Sequence, residues 1–247
     1  MLLTATIVEV VPTTPRAALV RAALDRPFPF AAGQAALVGA HGTRERRPYS
    51  IAAGPAEVAA TGILDLLVGL GRDGAGPHLP ELAPGVRLDL EGPLGAFRFP
   101  DDPHERRFLF VAGGSGIAPL RAMVHQALAG DPSWRLALLY SARVPDEFAF
   151  DDEFRALAAA GRLTYRRTAT RHAGPSWTGD RGRISRALLE SVVEDDETLC
   201  FVCGPDSLVH DVPRMLHDLG VSASRIRIEE WVARALRVGS DGSDLRR

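Results

Sequence analysis

Two short runs of residues have types and spacing suited to binding phosphorylated cofactors. Arg47-Pro-Tyr-Ser50 offers a guanidinium, an aromatic ring and a hydroxyl on a strand-like segment. Val111-Ala-Gly-Gly-Ser-Gly-Ile-Ala-Pro119 is an apolar strand that runs into a glycine turn and then a helix. That arrangement holds a pyrophosphate on backbone N–H groups. A chain with both runs is predicted to bring two cofactors together.

The glycine turn differs at one position from the usual dinucleotide pattern. It reads G-x-G-x-x-P, with Gly114, Gly116 and Pro119 at the patterned positions and Gly113 and Ser115 beside them. Proline near a helix start costs little, because the missing N–H would have no helical partner there. Such a turn can also be a simple tight connection, but the flanking strand and helix favour phosphate binding.

The residues after the second strand of this region bear on the choice of nucleotide. An acid there suits a free ribose 2′-hydroxyl, whereas an arginine suits a 2′-phosphate. The chain has Ser141 and Arg143 and no acid until Asp146, and Arg171 and Arg181 could join the same anion pocket. Each arginine could equally be a solvated surface residue. The pattern favours NADPH over NADH.

Short strands separated by glycine and proline fill residues 1–100 and predict a small antiparallel barrel or sandwich. One helical turn is predicted at Pro77–Leu82. The predicted strands are Thr4–Val11, Arg16–Leu24, Gln34–Val38, Pro48–Ala52, Ile63–Leu70 and Val86–Leu90.

From Arg107 onward, strands alternate with helices, which predicts a parallel sheet covered by helices. The proline-flanked linker Pro100–Pro103 separates a predicted all-β domain, 1–100, from a predicted α/β domain, 104–231, and a polar tail follows at 232–247. The predicted strands are Phe108–Ala112, Leu136–Tyr140, Leu163–Thr168, Leu199–Cys203 and Arg225–Ile228. The predicted helices are Ile117–Ala129, Asp151–Ala159, Ile184–Val193 and Ser207–Leu219.

Composition narrows the possible classes of partner and site. The net charge of −2 gives no sign of nucleic acid or of an anionic membrane as a partner. No apolar run approaches the ~20 residues of a membrane span, so we expect a cytoplasmic protein. Cys200 and Cys203 are the only cysteines, fewer than the four that an iron–sulfur cluster usually needs, and strand alternation places them on opposite faces. The histidines lack metal-ligand spacing, so no metal is predicted.

Further motifs in fixed order accompany these two runs, and together they resemble the ferredoxin–NADP reductase superfamily from Thr4 to Trp231. The motifs are Gly33-Gln34, Gly92-Pro-Leu-Gly95, Cys203-Gly-Pro205 and Glu229-Glu-Trp231. The resemblance implies an N-terminal antiparallel FAD-binding β-barrel followed by a Rossmann-like parallel-sheet NAD(P)-binding domain.

The resemblance also implies roles for the residues of the first run. Arg47 would pair with the FAD pyrophosphate, which suits a guanidinium fork. Tyr49, after Pro48, would lie against the flavin, and Ser50 would reach toward flavin N5. In the family, a serine or threonine three residues before Leu79 also binds FAD phosphate.

This chain departs from the family at that last position. It has Gly76 there, in Gly74-Ala-Gly-Pro-His-Leu79, so backbone amides near Gly74, Gly76 and His78 would replace the side-chain donor. A second departure is the polar tail that follows Trp231.

The remaining implied roles belong to the nicotinamide end. Cys203, Gly204 and Pro205 would lie where the nicotinamide rests. Glu229 would position it or relay a proton, and Trp231 would stack on the flavin until the nicotinamide displaces it.

The predicted function is therefore an FAD-dependent NAD(P)H oxidoreductase, expected to be monomeric, which passes electrons to an external partner. Ferredoxin-type or flavodoxin-type carriers and oxygenase, haem or molybdenum components are all compatible with the sequence. Two alternatives remain open: a non-catalytic flavin subunit of a larger complex, and a degenerate nucleotide-binding module without flavin.

Overall fold

The computed structural model describes residues 1–70, 79, 81–193 and 195–229. Within them lie two six-stranded sheets, one after the other along the chain. None of the helices in these ranges is long and apolar enough to cross a membrane.

The first sheet is antiparallel and closes into a barrel. Its order is β4-β3-β6-β1-β2-β5, and a bridge between Ile51 and Leu66 joins the two ends. The strands are β1 Leu2–Thr14, β2 Ala17–Leu24, β3 Ala35–Ala40, β4 Arg47–Ser50, β5 Ile63–Gly69 and β6 Arg87–Leu94. Alternation along β1 buries Leu3, Ala5 and Ile7 inside the barrel. The predicted barrel is therefore confirmed.

One helix of the barrel region escaped the sequence analysis. Helix α1, Pro55–Thr61, begins with proline and ends at Gly62, which has a φ of +67°. It buries only Val58, so it shows almost no apolar periodicity. The helical turn predicted at Pro77–Leu82 falls mostly outside the described residues, but Leu79 is buried in the barrel core.

The second sheet is parallel, with the order β10-β9-β8-β7-β11-β12, and helices connect most of its strands. The strands are β7 Arg107–Gly113, β8 Arg135–Ala142, β9 Thr164–Ala169, β10 Asp180–Arg181, β11 Leu199–Cys203 and β12 Ile226–Glu229. The helices are α2 Ile117–Leu128, α3 Asp151–Ala159, α4 Arg186–Glu190 and α5 Asp206–Asp218. This confirms the predicted fold class. The two-residue β10 was not predicted, and α4 is shorter than the predicted Ile184–Val193.

An aromatic cluster joins the two sheets, because the segment before the linker packs against β11. Phe99 stacks on Phe201 of β11 with ring centroids 5.6 Å apart, and Phe97 meets the same ring edge-on at 6.0 Å. The predicted boundary at 100–103 falls between β6 and β7. We propose it as the division between the units.

Candidate cofactor-binding site

A cavity of about 1170 Å³ opens between the barrel and the parallel sheet. It exceeds the ~300–1,000 Å³ typical of a pocket for one small ligand. The barrel contributes Pro48, Tyr49, Ser50, Leu67 and Gly69. The α/β unit contributes, among others, Gly113, Gly114, Ser115, Gly116, Ser141, Arg143, Cys203, Gly204 and Pro205. One cavity thus brings together most of the two runs singled out in the sequence.

The glycine turn lies against the Cys-Gly-Pro motif, and three of the glycines at this contact have no room for a side chain. A Cβ atom on Gly116 would overlap the carbonyl oxygen of Cys203, and one on Gly113 would lie 2.7 Å from Pro205 Cδ. A Cβ on Gly204 would lie 2.9 Å from Gly113 Cα. This bare-backbone cradle fits a dinucleotide, whose pyrophosphate needs close approach to main-chain N–H groups.

A buried tyrosine that the sequence analysis missed holds this turn. Tyr140 Oη donates a hydrogen bond to the carbonyl of Gly114, 2.9 Å away, and accepts one from the Ala149 N–H at 3.3 Å. Burial raises the pKa of Tyr140, so the phenol stays a neutral donor. It couples the glycine turn, where Gly114 has a φ of +54°, to the loop after β8.

The predicted ribose pocket holds an acid as well as an arginine. Arg143 Nε and Nη2 donate to the Glu147 carboxylate at 2.8 and 2.9 Å, and both residues line the cavity with Ser141. Arg183 also lines the cavity, although the sequence analysis did not single it out.

Two arginines predicted for the same pocket are not among the residues that line the cavity. The guanidinium of Arg181 donates to the carbonyls of Ala173 and Gly174, so a loop holds it. Arg171 is exposed, and its backbone N–H donates to the Arg143 carbonyl at 2.8 Å. The backbone of Arg171 therefore lies beside Arg143, and its contact with the nucleotide stays a prediction.

The predicted FAD residues lie on or beside the barrel wall. Tyr49 and Ser50 are half-buried on the cavity surface, and burial raises the pKa of Tyr49. Arg47 Nη2 is 3.2 Å from Glu45 Oε1, with both side chains exposed. A half-buried aromatic ring, a hydroxyl and a nearby exposed guanidinium fit a flavin dinucleotide. Gly74, Gly76 and His78 lie outside the described residues.

At the other end of the site, β11 and β12 place Cys203 in register with Glu229. Cys203 is fully buried, and its backbone lies against the glycine turn. Burial raises the pKa of Glu229 to about 7. Cys200 and Cys203 belong to cores on opposite faces of the sheet, as strand alternation predicts. Pro119 is buried near the start of α2, and Trp231 lies outside the described residues.

Comparison with known proteins identifies this arrangement. The profile of the family described as the oxidoreductase NAD-binding domain matches residues 110–214. A ferredoxin–NADP reductase B of Sorangium cellulosum is 34% identical over 218 residues, which are 83% of this chain and 87% of that protein. The chain belongs to the ferredoxin–NADP reductase superfamily. The predicted family is thus confirmed, and with it an oxidoreductase that binds FAD and NAD(P).

Solved structures share the fold of this superfamily member. The cytochrome P450 reductase GcoB of Amycolatopsis superposes with a TM-score of 0.82 at 27% identity, over 93% of this chain and 69% of that chain. A Neisseria gonorrhoeae ferredoxin NADP⁺ reductase with bound FAD and NADP gives 0.74 at 22% identity, over 92% and 98%. A component of the Na⁺-translocating NADH-quinone reductase of Yersinia pestis is 30% identical over 161 residues, which are 62% of this chain and only 39% of that component.

Proposed function

We propose that the chain transfers a hydride from NADPH to FAD and passes the electrons to an external redox partner. The observation that carries this proposal is the single cavity, lined by Tyr49 and Ser50 on one side and by the glycine turn and Cys203 on the other. This shared lining supports binding of both cofactors next to each other.

Different residues of the cavity would bind the two cofactors. Arg47, Tyr49 and Ser50 would hold FAD, and the amides of Gly113–Gly116 would hold the nucleotide pyrophosphate. Gly204 and Pro205 would border the nicotinamide. When bound, FAD supplies the hydride acceptor, while the chain orients the reacting groups and excludes water. We also propose that Gly74, Gly76 and His78 contribute to FAD phosphate binding and that Trp231 gates the nicotinamide.

The number of cysteines supports an external electron acceptor. The sequence has two, both buried in the second sheet, whereas an iron–sulfur cluster usually needs four. Relatives named for ferredoxin, cytochrome P450 and a carbazole dioxygenase support a protein carrier or an oxygenase component as the acceptor.

A panel of acceptors tests the proposal. We expect the purified protein to contain FAD and to reduce at least one carrier with NADPH. Protein that takes up no FAD would support the degenerate module. Protein that binds FAD but oxidises no NAD(P)H would support the non-catalytic subunit.

The Arg143–Glu147 pair predicts the nucleotide preference. Arg143→Ala should raise the KM for NADPH roughly tenfold, about 1.4 kcal/mol, with little change for NADH, because only the 2′-phosphate loses a partner. Glu147→Gln should have the opposite effect and strengthen the preference for NADPH, because it removes the carboxylate that now neutralises Arg143.

Arg186 provides the matched control for this measurement. It forms the same i,i+4 pair with Glu190, Nε to Oε1 at 2.9 Å, on helix α4, and neither residue lines the cavity. Arg186→Ala should leave both KM values unchanged. A wild-type enzyme that prefers NADH, together with an unaltered Arg143→Ala variant, would contradict the preference.

Glu229 should make stability depend on pH. Its pKa rises from the ordinary 4.5 to about 7 in the folded state, so the folded protein binds more protons than the unfolded chain between these values. The free energy of unfolding should therefore fall as the pH rises from 4.5 to 7.

Thermal unfolding across this range would measure the effect of Glu229→Gln. This variant keeps the shape but cannot ionise, so its Tm should decline less with pH than that of the wild type. The exposed Glu197→Gln variant is the control and should follow the wild type. Identical pH profiles for Glu229→Gln and the wild type would refute a raised pKa of Glu229 in the folded protein.

A further inference from the structure

A buried arginine connects the two units behind the cavity. Arg121, in helix α2, is only 8% exposed. Its Nη1 donates to the carbonyl of Ala52 at 2.8 Å and to Asp65 Oδ2 at 3.2 Å, both in the barrel unit. Its Nε donates to both carboxylate oxygens of Glu153, at 3.1 and 2.9 Å, in helix α3.

The positions of these partners connect the two cofactor-binding elements. Ala52 follows Ser50 by two residues, and its N–H donates to the Asp65 carbonyl on β5 at 2.8 Å. Helix α2 begins directly after the glycine turn at Gly116. Arg121 thus joins the segment after β4, which carries Tyr49 and Ser50, to helix α2, which follows the glycine turn, through one rigid, planar guanidinium.

Buried and half-buried charged and aromatic side chains surround Arg121. Asp65 is 4% exposed, and burial raises its pKa although the Arg121 charge opposes the rise. Burial also acts against ionisation of Glu153, but the hydrogen bond from His125 and the charge of Arg121 hold the pKa of Glu153 below its usual value. The Arg121 guanidinium lies 4.7 Å from the ring centroid of Phe150, which has a left-handed φ of +62°. Three elements therefore converge on one cation.

We propose that Arg121 is a positioning residue for hydride transfer. By clamping α2 to the segment that follows Ser50, it sets the separation between the nicotinamide and the flavin. Lysine keeps the charge but has no planar fork, so it cannot hold the Ala52 carbonyl, Asp65 and Glu153 in one plane. The proposal rests on the proposed function, since it concerns the meeting of the same two cofactors.

The test compares Arg121→Lys with Arg166→Lys in the FAD-loaded full chain. Arg166 binds Asp180 through paired hydrogen bonds, but both residues lie in the α/β unit, so the pair does not cross between the units. The readouts are the single-turnover rate of flavin reduction at saturating NADPH, the Kd for NADP⁺, FAD content, Tm and amide hydrogen exchange at residues 51–53.

For Arg121→Lys we expect flavin reduction to slow by roughly 10- to 100-fold, because a displacement of about 1 Å costs that much in rate. FAD content and the Kd for NADP⁺ should stay near wild type, while the amide of Ala52 exchanges faster. Arg166→Lys should keep the wild-type rate and the wild-type exchange at Ala52.

An Arg121→Lys variant with a lower Tm but an unchanged reduction rate would overturn the proposal and leave Arg121 a purely structural residue. If Arg121→Lys does not fold, Asp65→Asn decides, because it keeps the guanidinium and the side-chain volume. Asp65→Asn should then slow reduction, and an unchanged rate would equally overturn the proposal. A wild-type protein that NADPH does not reduce would instead refute the proposed function, whatever the exchange data show.

Discussion

Replacing Gly116 with alanine should slow the reduction of the flavin by NADPH by about 100-fold or more, while FAD stays bound. The new Cβ would overlap the carbonyl oxygen of Cys203 and lie 2.8 Å from the Gly204 nitrogen. Both obstacles are backbone atoms, so no flexible side chain can move aside. The nucleotide turn must shift away from Cys203 and Gly204, and a displacement of about 1 Å already costs such a factor.

The backbone of Gly116 makes this a purely steric test. Its φ of −61° suits alanine, so conformational strain adds nothing to the expected effect. Gly174→Ala is the control, because a Cβ there would meet no atom within 4 Å. The measurements are the Kd for NADP⁺ and the rate of flavin reduction. A Gly116→Ala enzyme with both values at wild-type level would show that the turn does not hold the nucleotide.

Replacing Arg47 with alanine should weaken FAD binding by roughly 10- to 150-fold. A hydrogen bond to a charged group contributes about 1.5–3 kcal/mol. Arg47 is exposed and lies 3.2 Å from Glu45, a surface contact that it can release to bind a phosphate. The α/β unit should remain folded and still bind NADP⁺.

Arg44→Ala provides the comparison for Arg47→Ala. Arg44 is an exposed arginine three residues earlier, in the loop before β4, so its loss removes the same charge without the proposed contact. FAD content after gel filtration of dilute protein measures the difference. Full FAD occupancy in Arg47→Ala would remove Arg47 from the flavin site.

The sequence predicted the features that depend on local pattern. Alternation predicts the barrel strand Thr4–Val11, which the structure extends to Leu2–Thr14. An apolar strand before Gly113 predicts the parallel sheet and its phosphate turn. Glycine at 116 and 204 is explained by contacts between backbones, and glycine at 113 by the side chains of Pro205 and Leu208, all of which only the fold brings together.

Contacts between residues far apart in the sequence could not be predicted from local pattern. Arg121 lies 69 residues from Ala52 and 56 from Asp65, so its helix position gave no sign of either partner. In the sequence Tyr140 resembles an ordinary strand residue, because its hydrogen bond to the Gly114 carbonyl forms only in the folded protein. The Arg143–Glu147 pair has i,i+4 spacing and could have been noticed from the sequence.

If both cofactors bind in one cavity, NADPH should reduce FAD within the same molecule. Anaerobic mixing of the FAD-loaded protein with NADPH, followed through the flavin absorbance in single turnover, measures this step. We expect rapid bleaching that slows when the transferred hydrogen of NADPH is replaced by deuterium. A flavin that stays oxidised in the presence of excess NADPH and NADH would refute hydride transfer by this protein.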